Sequence, residues 1–274
     1  MPLSPELAAM DPEELLRLRG NLPPEQQAEF DALLRHLTPA IQPVRDPNHP
    51  KNNFLVFLRE CVWTVDEARA GEVRKWPFGV GEDGKSWDEY WRVWDEALLT
   101  RKLLFVDKTR RTMASNVVVA FDLWLLAGGQ DPRWPELMRS DRNRSILIQS
   151  KKLEGETGSQ AFVAKMETLC RNFEENGGRK LWSEFPKAKF SASNGRFNNG
   201  SRVEAVAQGG QQVRGPGSTL IHVEEAGFME EAQESIETAV PALAGGGRIV
   251  VVTTPNAMAG YLKKLRAGEL GANR

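Results

Sequence analysis

Apolar residues open the chain at helical spacing. Asp11-Pro12-Glu13-Glu14 reads as a helix start: Asp11 is the N-cap, proline stands in the first turn, and Glu14 lies three residues after the cap. Gly20-Asn21 ends that helix. Leu22-Pro23-Pro24-Glu25 begins a second, with Phe30, Leu33, Leu34 and Leu37 on one face. Pro39, Pro43, Asp46-Pro47-Asn48 and Pro50 then break regular structure, so residues 38–53 read as a linker. Residues 1–53 are expected to form a helical appendage with its linker, and residues 54–274 the main domain.

Residues 54–100 are Trp-rich and amphipathic. Ser86-Trp87-Asp88-Glu89 has the form of a capping box, and Tyr90, Trp91, Trp94, Leu98 and Leu99 continue it as an apolar helical face. These aromatics are expected in a core, with room for one or two to flank a base.

From residue 101 the pattern changes to short apolar runs alternating with helices. LLFV (103–106) predicts a strand and Val117–Leu126 a helix. SILIQS (145–150) predicts a strand, followed by an amphipathic helix near 158–175. Phe190–Val206 reads as a hairpin around Asn198-Asn199-Gly200. STLIHV (218–223) predicts a strand, Glu230–Val240 a helix, and RIVVVTT (248–254) a strand. Continuous β-branched runs suit strands buried on both faces, and the alternation argues for an α/β fold with a mostly parallel sheet flanked by helices.

Composition changes this picture little. The 274 residues are 41% hydrophobic and 27% charged, ordinary for a globular chain. No apolar run reaches the roughly 18 residues of a membrane span, and the acidic, proline-broken start is unlike a signal peptide. Cytoplasm is therefore the default. Cys61 and Cys170, and His36, His49 and His222, are scattered; neither a disulfide framework nor a zinc site is expected, and both cysteines are expected in the core. Charge is uneven. Residues 1–50 carry eight acidic against four basic residues, whereas 139–214 carry fourteen Lys/Arg against eight Asp/Glu. That excess suits a polyanion, or simply a solvated basic surface.

Three segments carry candidate chemistry. STLIHVEEAGF runs an apolar strand out into Glu224 and Glu225, where a parallel sheet places its ligands. One carboxylate there can hold a metal and the next can deprotonate a water; the alternative is acidic residues favouring a helix N-terminus. FVDKTRRTMASN (105–116) joins a strand to a helix, as a phosphate-binding loop does. Ser115 stands where a metal-binding hydroxyl would, and Ala114 replaces the usual lysine before it. Lys108 lies at the other end of the loop. A loop wrapped around a phosphate brings both ends to the same oxygens, so Lys108 can supply the cation, with Arg110 and Arg111 as further donors. Without glycines, any positive φ in this loop falls on a residue that resists it. The alternative is a plain strand-to-helix turn. IVVVTTPN (249–256) ends a buried strand in Thr253, Thr254 and Asn256, which can sense a γ-phosphate or a water, or can form a Pro-Asn turn. Their order, with another strand-helix unit between the first two, is that of ATPases with an added strand and a catalytic glutamate.

In these segments the sequence resembles the large terminase subunits of tailed bacteriophages, the ATPase motors that package DNA. KTRRTMAS is similar to a deviant Walker A loop opened by lysine. FNNGSRVEAVAQGGQQVRGPGSTLIHVEEAGFM is similar to the family's succession of Asn-Gly-Ser, Arg-Gly and a Walker B strand. IVVVTTPN resembles the coupling motif, and FLRECVWT with a later PFG the segment before the loop. The resemblance spans about residues 54–262.

It implies a P-loop ATPase of the ASCE, RecA-like class using ATP and Mg²⁺. Lys108, Thr109, Arg110, Arg111, Thr112, Met113, Ala114 and Ser115 would hold the triphosphate, Ser115 and Glu224 the metal, and Glu225 would activate water. Arg110 would stabilise transferring charge within the subunit, and Thr253, Thr254 and Asn256 would couple hydrolysis to movement. Arg214 matches the family's Arg-Gly without an assigned role, and Lys165 and Arg171 are candidates for a cation offered to a neighbouring subunit. Implied partners are double-stranded DNA, the portal protein, the small terminase subunit and further copies in a ring, at a procapsid in the host cytoplasm. Three features depart from the family: Glu224 where many relatives have Asp, no glutamine between residues 43 and 129 to read adenine, and no segment matching the RNase H-like nuclease domain. The chain is thus expected to be the ATPase domain alone. The rival expectations are another DNA translocase or helicase-like ATPase, and a non-catalytic scaffold or DNA-binding module with a decayed nucleotide site.

Overall fold

The computed structural model describes residues 46–66, 71–80, 84, 86–108, 113–131, 133, 143–213, 218–244, 246–254 and 260–267. The chain divides into two units, Met1–Asp46 and Pro47–Arg274. The helices expected before residue 38 lie outside the described residues. The end of the expected linker is described, and from Pro47 it belongs to the second unit. Pro50–Asn52 is a short 3-10 helix; the Pro50 carbonyl accepts the Trp124 indole N–H at 2.9 Å, and Lys51 O accepts Gln130 N–H at 2.6 Å.

The second unit is α/β. Helix α1 (Phe54–Cys61) leads into a small hairpin of β1 (Trp63–Asp66) and β2 (Glu72–Lys75), then helix α2 (Trp87–Thr100). Next come β3 (Leu103–Asp107), α3 (Ala114–Leu126), β4 (Ser145–Gln149) and α4 (Ser159–Glu175). Strands β5 (Ala188–Phe190), β6 (Asn194–Phe197) and β7 (Arg202–Val206) follow, then the one-turn α5 (Gly210–Val213). The chain continues through β8 (Leu220–Val223), α6 (Ala232–Ala244), β9 (Arg248–Thr253) and α7 (Gly260–Arg266). Among the described residues seven strands form one sheet in the order β3-β9-β8-β4-β7-β6-β5. The first five are parallel; β5 and β6 extend the sheet antiparallel. Strand β9 is inserted between β3 and β8.

Strand parity divides the core in two. Ile146, Ile148, Leu220, Val250 and Val252 face α1 to α4, while Leu147, Ile221, Val223, Ile249 and Val251 face α6 and α7. β8 and β9 are buried throughout, as their β-branched runs predict; β3, at the sheet edge, is only half-buried. Helix α3 is buried on nearly every side, which its mostly apolar run Val117–Leu126, broken only by Asp122, requires. The Asn198-Asn199-Gly200 turn closes β6–β7, with Gly200 at φ 86°. The β1–β2 hairpin was not expected. Glu72–Lys75 is exposed at every position, so no alternation of apolar and polar residues marks it. Ser86 caps α2 as predicted, accepting the Glu89 N–H at 3.3 Å. Cys61 is buried and Cys170 half-buried; burial pushes both thiols up, Cys61 to about 12.

The end of the sheet where the parallel strands begin is tied down by two buried arginines. Arg144, just before β4, donates to the carbonyls of Leu125 and Gly129 at the end of α3. Arg248, opening β9, donates to Leu98, Leu99 and Arg101 at the end of α2. Each satisfies carbonyls that a helix leaves open, and a cation suits that end of the helix dipole. Arg144, buried in this role, takes no part in a basic surface. Arg248→Met should lower stability by about 2–4 kcal/mol, because buried carbonyls lose their charged donor. Denaturant unfolding checks this, and a loss under about 0.5 kcal/mol would contradict it.

Candidate functional site

The strands β3, β9 and β8 end side by side, so the residues that follow them converge: Lys108, Thr254, and Glu224 with Glu225. The N-terminus of α3 comes back over the same place. Its cap, Met113, takes φ 57°, and Glu225 takes φ 53°. Two of the three non-glycine residues with positive φ among the described residues thus sit at this one site, a cost of about 1–3 kcal/mol each. The strain that a glycine-free loop was expected to impose falls on Met113. Ala114 is buried against the core.

Lys108 and Ser115, the two ends of the loop, touch: Nζ lies 2.5 Å from Oγ. Both reach Glu224 Oε1, Lys108 Nζ at 2.8 Å and Ser115 Oγ in a still closer contact. Glu225 stands farther out, its side chain 23% exposed against 1% for Glu224. Lys108 Nζ is 3.5 Å from its Oε1, and Thr254 Oγ1 donates to its Oε2 at 3.4 Å. Thr253 is buried; its carbonyl accepts Lys108 N–H at 2.9 Å and its hydroxyl accepts Gly227 N–H at 2.8 Å. Strand β9 is therefore pinned both to the start of the loop and to the turn after the two glutamates. Lys165 on α4 donates to Asn116 Oδ1 at 3.4 Å, beside the first turn of α3. Thr109, Arg110, Arg111 and Thr112, Arg214, and Asn256 lie outside the described residues.

Two members of the cluster were missed from sequence. His222 is fully buried, with Nδ1 2.9 Å from Asp122 Oδ2 and Nε2 3.1 Å from Glu224 Oε2. Parity explains half of this: Glu224 follows directly on β8, two residues after His222, so both turn to the face toward α3. Helical spacing explains the other half, since Ser115 and Asp122 are seven apart and lie on one stripe of α3. Each spacing is visible in the sequence. That the two stripes face each other is not, because about 100 residues separate them.

Burial alone would depress His222, but the charge and hydrogen bond of Asp122, joined by those of Glu224, lift it from 6.5 to about 9. Burial likewise opposes ionisation of Glu224; the hydrogen bond and charge of His222, then those of Lys108, overcome it and hold the carboxyl at about 2. Burial pushes Asp122 above its ordinary range against the pull of His222. The cluster is thus a buried Asp122–His222–Glu224 row, capped by Lys108.

Among the described residues no group of three or more His, Cys, Asp or Glu could hold a metal by itself. The donors at the loop are a hydroxyl and one buried carboxylate oxygen meeting at a point and already sharing one cation. Hard oxygen donors in this small number suit Mg²⁺, which commonly takes one or two protein carboxylates and completes its shell with phosphate and water.

No protein-family model and no curated protein matches this chain. Among solved structures, the large terminase ATPase domain of Thermus phage P74-26 is similar with TM-score 0.43 and 10% identity, over 60% of this chain and 64% of that one. The bacteriophage HK97 large terminase gives 0.44 and 15%, over 70% of this chain and 39% of that one. A large terminase from a thermophilic bacteriophage, in complex with ADP, gives 0.37 and 13%, over 61% and 38%. The chain thus spans under two thirds of the length of each, and at these scores the likeness by itself fixes no function.

The buried row makes stability depend on pH with a definite sign. His222 is raised in the fold, so its contribution is complete below about pH 6.5 and is lost as pH rises through about 9. Glu224 is depressed, so its contribution holds above about pH 4.5 and is lost as pH falls toward about 2. Thermal unfolding should show a midpoint that falls between pH 6.5 and 9.5, and His222→Gln should reduce that fall. Equal slopes in the two proteins would contradict the assignment.

Proposed function

We propose that this chain is the Mg²⁺-dependent ATP-hydrolysing domain of a DNA-packaging motor of the large-terminase kind. One observation carries the nucleotide reading: the two ends of the loop, Lys108 and Ser115, meet on the buried carboxylate of Glu224, with Glu225 directly outside it. In this reading the N-terminus of α3 receives the phosphates, because its free N–H groups and dipole favour anions. Lys108 exchanges its bridge between Ser115 and Glu224 for phosphate oxygens, which frees those two oxygens as metal ligands. Mg²⁺ bound there would neutralise charge on the transferring phosphoryl group. Glu225, reached by Thr254 at one oxygen and partly open to solvent, orients a water and takes its proton. Thr253 and Thr254 tie β9 to both the loop and the glutamate turn, a physical route by which phosphate loss can move the strand. Arg110 would add a cation to the transferring phosphoryl group.

The DNA reading draws on the antiparallel edge. Lys189 pairs directly with Arg196, and Arg196 with Arg202, so three exposed cations stand in one row across β5, β6 and β7. Like charges opposite one another destabilise a sheet, so the row suits a surface that meets phosphates. The further partners in this reading are the portal protein, the small terminase subunit and other copies of the chain in a ring, at a procapsid in the host cytoplasm.

A second reading, a scaffold or DNA-binding module with a decayed site, has one observation in its favour: Lys108 already bridges the two groups that would hold the metal. Mutation separates the two. Glu225→Gln should leave ATP affinity within about threefold and lower kcat by about 10²–10⁴-fold; retained turnover would refute the base assignment. Lys108→Ala should weaken ATP binding about 10- to 100-fold, the value of a charge-assisted hydrogen bond. Unchanged affinity would remove Lys108 from the phosphate site, and no Mg-ATP binding by the wild type would favour the decayed module. For DNA, reversing Lys189, Arg196 and Arg202 to Glu should reduce the slope of log affinity against log salt by about 2–3. An unchanged slope would put the contact elsewhere.

A further inference from the structure

Glu224 has one more methylene than an aspartate and one more rotatable bond. A metal-binding carboxylate on so long an arm needs its second oxygen held, or the first wanders. The fold provides that hold from behind. His222 Nε2 lies 3.1 Å from Glu224 Oε2, the oxygen facing away from the loop, while Oε1 meets Ser115 and Lys108. The imidazole is fixed in turn, since Nδ1 lies 2.9 Å from Asp122 Oδ2 and the ring packs against Phe162 at a centroid distance of 5.9 Å. All three side chains are at most 1% exposed, so no water competes for these bonds.

The ladder has a fixed geometry. Asp122 stands two helical turns below Ser115 on α3, about 10 Å along its axis. His222, on β8, precedes Glu224, just past the strand's end, by two residues, about 7 Å of extended chain. Glu224 meets Ser115 at one end and His222 meets Asp122 at the other, so helix and strand are bolted together at two levels. A displacement of α3 along β8 would break both contacts.

We propose that His222, backed by Asp122, is the positioning residue for the metal-binding carboxylate: it orients Glu224 so that Oε1 alone is presented to the metal, and so offsets the longer reach of glutamate. This rests on the Mg-nucleotide reading of the site. Outer partners of metal ligands typically contribute about 10- to 100-fold to metal affinity.

The test compares two amides. His222→Gln carries an N–H donor about where Nε2 stands and can still reach Glu224. His222→Asn carries one only about where Nδ1 stands and reaches Asp122 instead. Each folded variant, checked by circular dichroism, is titrated with a fluorescent ATP analogue in EDTA and again across a Mg²⁺ series. The metal-free affinity of both should stay within about threefold of wild type. The apparent Mg²⁺ dissociation constant should rise at least about tenfold in His222→Asn and be largely restored in His222→Gln. Equal Mg²⁺ dependence in wild type and His222→Asn overturns the proposal, as does an equal loss in both variants.

If His222→Asn fails to fold, Glu224→Asp probes the same link. Aspartate is an equally good ligand but is too short to reach both His222 and Ser115. A tenfold or greater loss of Mg²⁺ affinity supports the proposal, and unchanged affinity overturns it. Failure of the underlying reading looks different: the wild type itself binds no analogue, or binds it with no gain from Mg²⁺.

Discussion

One buried carboxylate organises this molecule. Glu224 leaves the tip of a fully buried strand with its side chain 1% exposed, yet it is held ionised. A lone carboxylate in such a place would cost several kcal/mol, and removing any one partner would strand it. Its compensation comes from three directions: Lys108 from the end of β3, Ser115 from the start of α3, and His222 from within β8. The loop between β3 and α3 must therefore close on itself, and α3 must lie at one height against the sheet. The insertion of β9 between β3 and β8 sets the gap that Lys108 spans.

The two ends of the parallel strands are built differently. Where they begin, Arg144 and Arg248 satisfy the carbonyls that close α3 and α2, and backbone polar groups find charged partners. Where they end, Met113 and Glu225 are held at positive φ, and Lys108 spans two glutamates. Strain and concentrated charge gather at the end where the parallel strands finish, and the arginine-pinned end lies opposite. That distribution is what a site needs if its groups are to be ready before a ligand arrives.

Much of the domain could be read from its residues. The runs SILIQ, LIHV and RIVVVT are strands because β-branched and aliphatic side chains bury on both sheet faces, LLFV is a half-buried strand at the edge, and α3 is a helix too apolar to lie anywhere but inside. The meeting of Lys108 and Ser115 was legible as well, since two loop ends seven positions apart were expected at the same phosphate oxygens. The β1–β2 hairpin was not, because its exposed strands leave no periodic trace. Nor was the Asp122–His222–Glu224 row. His222 read as one of three scattered histidines, and only the crossover from α3 to β4, with β8 laid beside β4, brings its partners within 3.1 Å.

The most direct test of the account is a crystal structure of the wild-type chain with Mg²⁺ and a non-hydrolysable ATP analogue. The β- and γ-phosphates should lie at the N-terminus of α3, with Lys108 moved from Glu224 onto phosphate oxygens; Ser115 and Glu224 would then hold the metal. His222 should still lie against Glu224 Oε2. A nucleotide bound elsewhere, or Lys108 still bridging Ser115 and Glu224 with nucleotide present, would contradict the account.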